Sequence, residues 1–115
     1  LAEAQVHGGM SMGIGYGLSE QLLFDEKTGR PLNNNLLDYK IPTCMDIPDM
    51  EIRFVETHED SAPFGAKGLA EPPLIPQAAA VRNAILHATG VGMHKLPMNP
   101  QNLVHAFGEA GLIAQ

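Results

Sequence analysis

Gly65-Ala66-Lys67-Gly68-Leu69-Ala70-Glu71-Pro72-Pro73 sets a single carboxylate on a glycine-rich turn that two prolines close. Glycine allows positive φ or close approach to another surface, where a Cβ would clash. Pro72 pushes Glu71 out of the α region, and the Pro72-Pro73 pair stiffens the chain beyond it. Glu71 is thereby held among Leu69, Ala70, Leu74 and Ile75. Two readings follow from these residues. A carboxylate in apolar surroundings has a raised pKa and can act as a general base. A carboxylate just before a helix is also favoured by the helix dipole alone, with no chemistry implied.

The elements that must position this turn are helical. Residues 3 to 24 read as one helix, with Val6, Met10, Ile14, Leu18 and Leu22 recurring every fourth position. Beside that stripe run Gly9, Gly13 and Gly17, with Gly8 and Gly15 close by. Each glycine costs about 1 kcal/mol relative to alanine in a helix interior, so the stripe needs an offsetting gain. Close approach of a helix or strand is one such gain, and close approach of a flat ligand is the other. The Gly13-x-Gly15-x-Gly17 spacing is not a dinucleotide fingerprint, because no strand precedes it and Leu18 stands where a third glycine would fall.

Asp25 to Arg30 reads as a hairpin-like polar loop and Asn33-Asn34-Asn35 as a turn. Residues 50 to 57 alternate apolar and polar, the pattern of a half-buried strand. A second helix is expected over Ile75 to Thr89, with Pro76 in its first turn and Gly90 as its stop. Asn99-Pro100 predicts the cap and first position of a third helix, Gln101 to Phe107, ended by Gly108. The expected class is α+β, an antiparallel strand set with packed helices.

The whole chain limits the alternatives. Its 115 residues suit about one domain. The net charge of −6, with seven scattered Lys and Arg, argues against a nucleic-acid surface. Cys44, the one cysteine, rules out an internal disulfide framework or a multi-cysteine metal pattern and fits a reducing, cytoplasmic setting. No run of about 18 apolar residues occurs, so no membrane association is expected. The five histidines have no zinc-ligand spacing, so no metal-ligating residue is assigned. Ser11, Ser19 and Ser61 lack a nucleophile elbow, and Cys44 has no adjacent basic group. The chain opens at Leu1 inside helical sequence and is read as a piece of a longer polypeptide.

Taken in order, these motifs resemble the molybdenum hydroxylases, the family of xanthine dehydrogenase and aldehyde oxidoreductase. Gln5-Val6-His7-Gly8-Gly9 followed by Gly13-Ile14-Gly15-Tyr16-Gly17-Leu18-Ser19-Glu20 is similar to that family's glutamine-and-glycine helix. Asp38-Tyr39-Lys40-Ile41-Pro42-Thr43 resembles its next motif, and residues 65 to 73 resemble its active-site loop. The segments Asn83 to Gly90 and Leu96-Pro97-Met98 fit as well, so the resemblance covers about residues 4 to 107.

The resemblance implies that residues 1–115 are a C-terminal fragment of the second molybdenum-cofactor-binding domain. The implied cofactor is molybdenum held by a molybdopterin, often as its cytosine dinucleotide. Glu71 matches the family's general base, which removes a proton so that a water-derived oxygen can attack an electron-poor carbon. Gln5 matches a glutamine near the pterin, Gly8, Gly9 and Gly13 match backbone that faces it, and Gly68, Leu69 and Ala70 match main chain beside the metal. Met12 stands where many relatives carry glutamine, and Ala70 replaces the commoner glycine before the glutamate. Implied partners are the rest of the molybdopterin subunit and the iron–sulfur and FAD subunits or domains of an oligomeric assembly. The implied substrate is an N-heterocycle, such as a xanthine-like purine, or an aldehyde. Two alternatives stay open at this point: a non-catalytic stand-alone remnant serving as an interaction module, and the reductive branch that dehydroxylates aromatic acyl-CoA thioesters.

Overall fold

A computed structural model describes residues 1–114. Three helices occur, α1 (Ala2–Leu18), α2 (Gln77–Thr89) and α3 (Pro100–Glu109), with a short 3₁₀ turn at Pro63–Gly65. Between them the chain runs mostly as extended or turning backbone.

α1 forms where the fourth-residue stripe begins, but it stops at Leu18 rather than near Phe24. The N–H groups of Ser19 and Glu20 both turn back to the Gly15 carbonyl, at 2.9 and 2.8 Å, and the chain leaves the helix there. Val6, Met10, Ile14 and Leu18 are half-buried, and the glycines beside them are buried at 9, 13, 15 and 17. A Cβ at Gly9 would lie 2.7 Å from Pro73 Cβ, and one at Gly13 would lie 2.6 Å from Gln77 Cγ. The stripe is therefore a seat for residues 73 to 78, and the α1 backbone lies directly on the start of α2.

α2 ends as expected, with Gly90 left-handed at φ 74 and its N–H on the Leu86 carbonyl. It begins at Gln77, with Pro76 just outside. α3 starts at Pro100 as expected, and the Asn99 side chain accepts from the Asn102 N–H at 2.9 Å. Gly108 does not end it. The helix runs to Glu109, and the left-handed glycine is Gly111, beyond which the Leu112 N–H returns to the Phe107 carbonyl. α3 is tied back to α1 through the segment before it, where the Met98 N–H meets the Gly17 carbonyl at 2.7 Å.

The expected antiparallel strand set does not form among the described residues. The pairing there is a single antiparallel bridge, Phe24 with Pro31, closed by the Asp25–Arg30 hairpin. Asp25 caps that turn by accepting from Thr28 Oγ1 and from the N–H groups of Thr28 and Lys27. Thr28 above all holds the Asp25 carboxyl below the usual range. Residues 50 to 57 form no regular element, and within them Glu51 and Arg53 pair. The backbone of this segment has no ladder partner among the described residues. The alternating pattern records which face of a strand would be apolar and does not supply its neighbour.

The core is correspondingly thin. Met93 and Met98, with Pro73 and Pro97, are the buried apolar side chains among the described residues. Leu36, Leu37, Met45, Val55, Phe64 and Ile75 are all more than two-thirds exposed. The accessible surface is 8897 Å², against about 6,100 Å² for a compact monomer of this mass. The radius of gyration is 17.9 Å, against about 13 Å for a compact chain of this length.

Gly13→Ala should therefore destabilise the full-length apo-protein by about 1–3 kcal/mol, because the new Cβ overpacks the α1–α2 seat. Gly8→Ala meets open space and should gain about 1 kcal/mol of helix propensity. Thermal or denaturant unfolding checks the pair. Equal effects at the two positions would contradict the seat.

Candidate active site at the crossing of α1 and the Glu71 turn

The turn is built from residue 58 onward. Phe64 takes the left-handed region at φ 57, ψ 18, and Gly65 follows at φ 70. A side chain at Gly65 would be strained by that φ and would also collide with the His58 ring. Cross-bonds close the loop: Gly65 N–H to the Ala62 carbonyl at 3.0 Å, and Glu59 N–H to the Gly65 carbonyl at 3.2 Å. Beyond it, the Glu71 carbonyl accepts from the N–H of Leu74 (2.9 Å) and of Ile75 (3.3 Å), which turns the chain into α2.

The first half of α1 and this turn meet at one contact between side chain and backbone. Gln5 Nε2 donates to the Ala70 carbonyl at 3.4 Å, across 65 positions of sequence. Gln5, Ala70 and Glu71 thus share one edge of the molecule, and Pro73 sits buried beneath against Gly9. Gly8, Gly68 and Ala70 are exposed there, Leu69 is half-buried, and nothing approaches a Cβ position at Gly8 or Gly68 within 4 Å. The glycines divide into two groups. Gly9 and Gly13 face their own chain, whereas Gly8 and Gly68 offer bare backbone to whatever lies outside.

Glu71 is exposed, and its carboxylate has no hydrogen-bond or ion-pair partner among the described residues. The apolar enclosure expected around it is not supplied by Leu69, Leu74 and Ile75. Ile75 is 71% exposed. Among the described residues, no three His, Cys, Asp or Glu side chains converge to hold a metal.

A second motif packs beside α1. Tyr39 Oη donates to Glu20 Oε2 at 2.9 Å, and this bond to Glu20 pushes the Tyr39 phenol above its ordinary range. Ser19 Oγ donates to the Lys40 carbonyl at 2.8 Å. With Pro42 these contacts set residues 38 to 43 along the C-terminal end of α1. Buried Asn33 pins the intervening chain by accepting from Leu23 N–H and donating to the Gln21 carbonyl. Sequence reasoning missed Gln77, Pro73 and the Glu20–Tyr39 pair as positioning groups. The four-residue spacing of Gly9, Gly13 and Gly17 was the signal that something ridged had to lie on α1.

The site is a glycine helix crossed by a carboxylate turn, open on one edge and short of a core. Comparison with known proteins shows its family. Residues 1–48 match the molybdopterin cofactor-binding domain. The chain is 54% identical over 113 residues to the xanthine dehydrogenase molybdenum-binding subunit of Escherichia coli O157:H7, covering 98% of this chain and 15% of that one. It is 36% identical over 104 residues to the aldehyde oxidoreductase molybdenum-binding subunit PaoC of Escherichia coli (strain K12), covering 90% and 14%. Its fold superposes on quinoline 2-oxidoreductase from Pseudomonas putida 86 with a TM-score of 0.84 at 34% identity, covering 93% of this chain and 14% of that one. The chain belongs to the molybdenum hydroxylase family, whose cofactor is molybdopterin with molybdenum. It spans about 15% of the length of the curated relatives it matches.

The residues present fit such a group at one place. Gly8 and Gly68 carry no side chain and meet nothing of this chain where one would stand, so a flat group could approach their backbone, and the Gln5 amide adds hydrogen-bonding capacity. Gly8→Leu in the full-length subunit should lower its molybdenum content while the metal-free protein unfolds no earlier than the parent. Unchanged content by metal analysis would remove Gly8 from the cofactor surface.

Proposed function

We propose that this chain is the C-terminal part of the second molybdopterin-binding domain of a hydroxylating oxidoreductase subunit. In this reading Glu71 is the general base of the reaction. The reaction is hydroxylation of an electron-poor carbon in an N-heterocycle or aldehyde, with water as the oxygen source. The observation that carries the reading is the Gln5–Ala70 hydrogen bond, which joins the glycine helix to the residue before Glu71. Its support is the 54% identity to a xanthine dehydrogenase molybdenum-binding subunit across nearly the whole chain.

When bound, the cofactor supplies the two-electron acceptor. The chain's own residues do the rest of what can be assigned. The Glu71 carboxylate, free of internal partners, accepts a proton at one oxygen as the attacking oxygen forms its bond to carbon. Its main chain is held meanwhile by the Leu74 and Ile75 N–H groups. A base engaged in an internal ion pair would have to break it first, so an unpartnered carboxylate on a stiff turn suits the task. Gln5 holds the carbonyl next to Glu71 and faces the pterin with the rest of its amide. Gly8 and Gly68 set how closely the backbone approaches.

The remaining subunit would cover the exposed apolar side chains and supply strands beside residues 50 to 57. It would also enclose Glu71 and keep bulk water from it. Iron–sulfur and FAD modules of a larger assembly would carry the electrons away. The single exposed Cys44 suits the reducing cytoplasm.

In the full-length holoenzyme, Glu71→Gln should reduce turnover by about 10²–10⁴-fold, the range for removing a general base. Molybdenum content should stay near that of the parent. Turnover close to the parent's would exclude Glu71 as the base.

A further inference from the structure

Three of the six residues from Glu71 to Pro76 are prolines and carry no N–H, so few backbone bonds can hold this turn. Those present converge on Glu71, whose carbonyl accepts from Leu74 and Ile75. The next N–H, of Gln77, reaches the Leu74 carbonyl at 3.4 Å instead of the Pro73 carbonyl four residues back. The Pro73 carbonyl is taken by a side chain: Gln77 Nε2 donates to it at 3.0 Å. The Cβ and Cγ of that same side chain lie against Gly13 of α1, at positions a glycine Cβ would fill. One residue therefore touches both halves of the site. It braces the prolines that follow Glu71, and it rests on the helix that carries Gln5 and Gly8.

We propose that Gln77 is a positioning residue for the reaction. Its amide holds the Pro73 carbonyl and its stem seats on Gly13, and together these set the height of the Glu71 carboxylate over α1. The inference rests on the reading of Glu71 as the base. Without the donor, a partly buried carbonyl loses its partner and the proline turn can shift on α1. A shift of about an ångström at a base costs rate out of proportion to its effect on substrate binding. The expected signature is therefore in kcat rather than in KM.

Two variants of the full-length holoenzyme separate the donor from the packing. Gln77→Met keeps the length and the apolar stem on Gly13 but donates nothing. It should lower kcat roughly tenfold, with KM within about twofold, and leave molybdenum content unchanged. In the metal-free subunit, the amides of Leu74 and Ile75 should exchange faster in Gln77→Met, because the turn they close is less restrained. Gln77→Glu keeps the shape and can donate only when its carboxyl is protonated. The ratio of its kcat to that of the parent should therefore rise as pH falls toward the ordinary glutamic acid value of about 4.3.

Parent-like kcat and exchange in Gln77→Met, or a ratio for Gln77→Glu that is flat with pH, would overturn the proposal. Loss of molybdenum in step with activity would also overturn it, by making Gln77 a folding residue only. Glu71→Gln keeps the two levels apart. An active Glu71→Gln removes the base reading, whereas an inactive Glu71→Gln beside a parent-like Gln77→Met removes only the brace.

Discussion

The bare backbone of α1 lies on Pro73 and Gln77 with no side chains between, and the remaining geometry of the site follows from that contact. At Gly9 and Gly13 even a methyl group would collide with the partner. The helix accepts the propensity cost of several glycines because the approach places Gln5 beside Ala70. It also sets the height of Glu71 over the helix. A larger residue in the seat would lift the proline turn, and the carboxylate would move with it.

The same economy explains why the molecule is so open. A chain with few buried apolar side chains and a surface well above that of a compact monomer has not balanced the entropy of ordering its backbone from its own contacts. Its exposed Leu, Ile, Phe and Val occur along the whole chain, from Leu1 to Ile113. The relatives it matches are about seven times its length. The unpaired run at residues 50 to 57 and the unenclosed Glu71 are alike in this. In neither case do the described residues supply the groups that would satisfy the local pattern.

What the sequence made legible divides along the same line. Features settled by a few neighbouring residues could be read directly: the left-handed stop at Gly90, the Asn99 cap with Pro100 after it, and the Asp25–Arg30 turn. The resemblance of the two motifs to molybdenum hydroxylases was also legible, because residue order and spacing carry it. Gly108 misled because glycine is tolerated inside a helix when the next left-handed position, here Gly111, closes it as well. The apolar spacing continues to Leu22 and reads as helix, but α1 ends at Leu18, where the Ser19 and Glu20 N–H groups share the Gly15 carbonyl. The strand set was expected from alternation, which encodes a face and not a partner. Gln77 carried no signal in its own window, since its importance arises from Gly13, 64 positions earlier.

The central claim is that the α1–Gln77 seat aims Glu71 at a cofactor lying along Gln5 and Gly8. An experimental structure of the full-length, molybdenum-loaded subunit tests it most directly. The account predicts the pterin alongside Gly8 and the Gln5 amide, with the Glu71 carboxylate facing the metal centre within hydrogen-bond reach of its ligands. A cofactor seated elsewhere, or a Glu71 side chain turned away from the metal with Gln77 still bonded to Pro73, would contradict it.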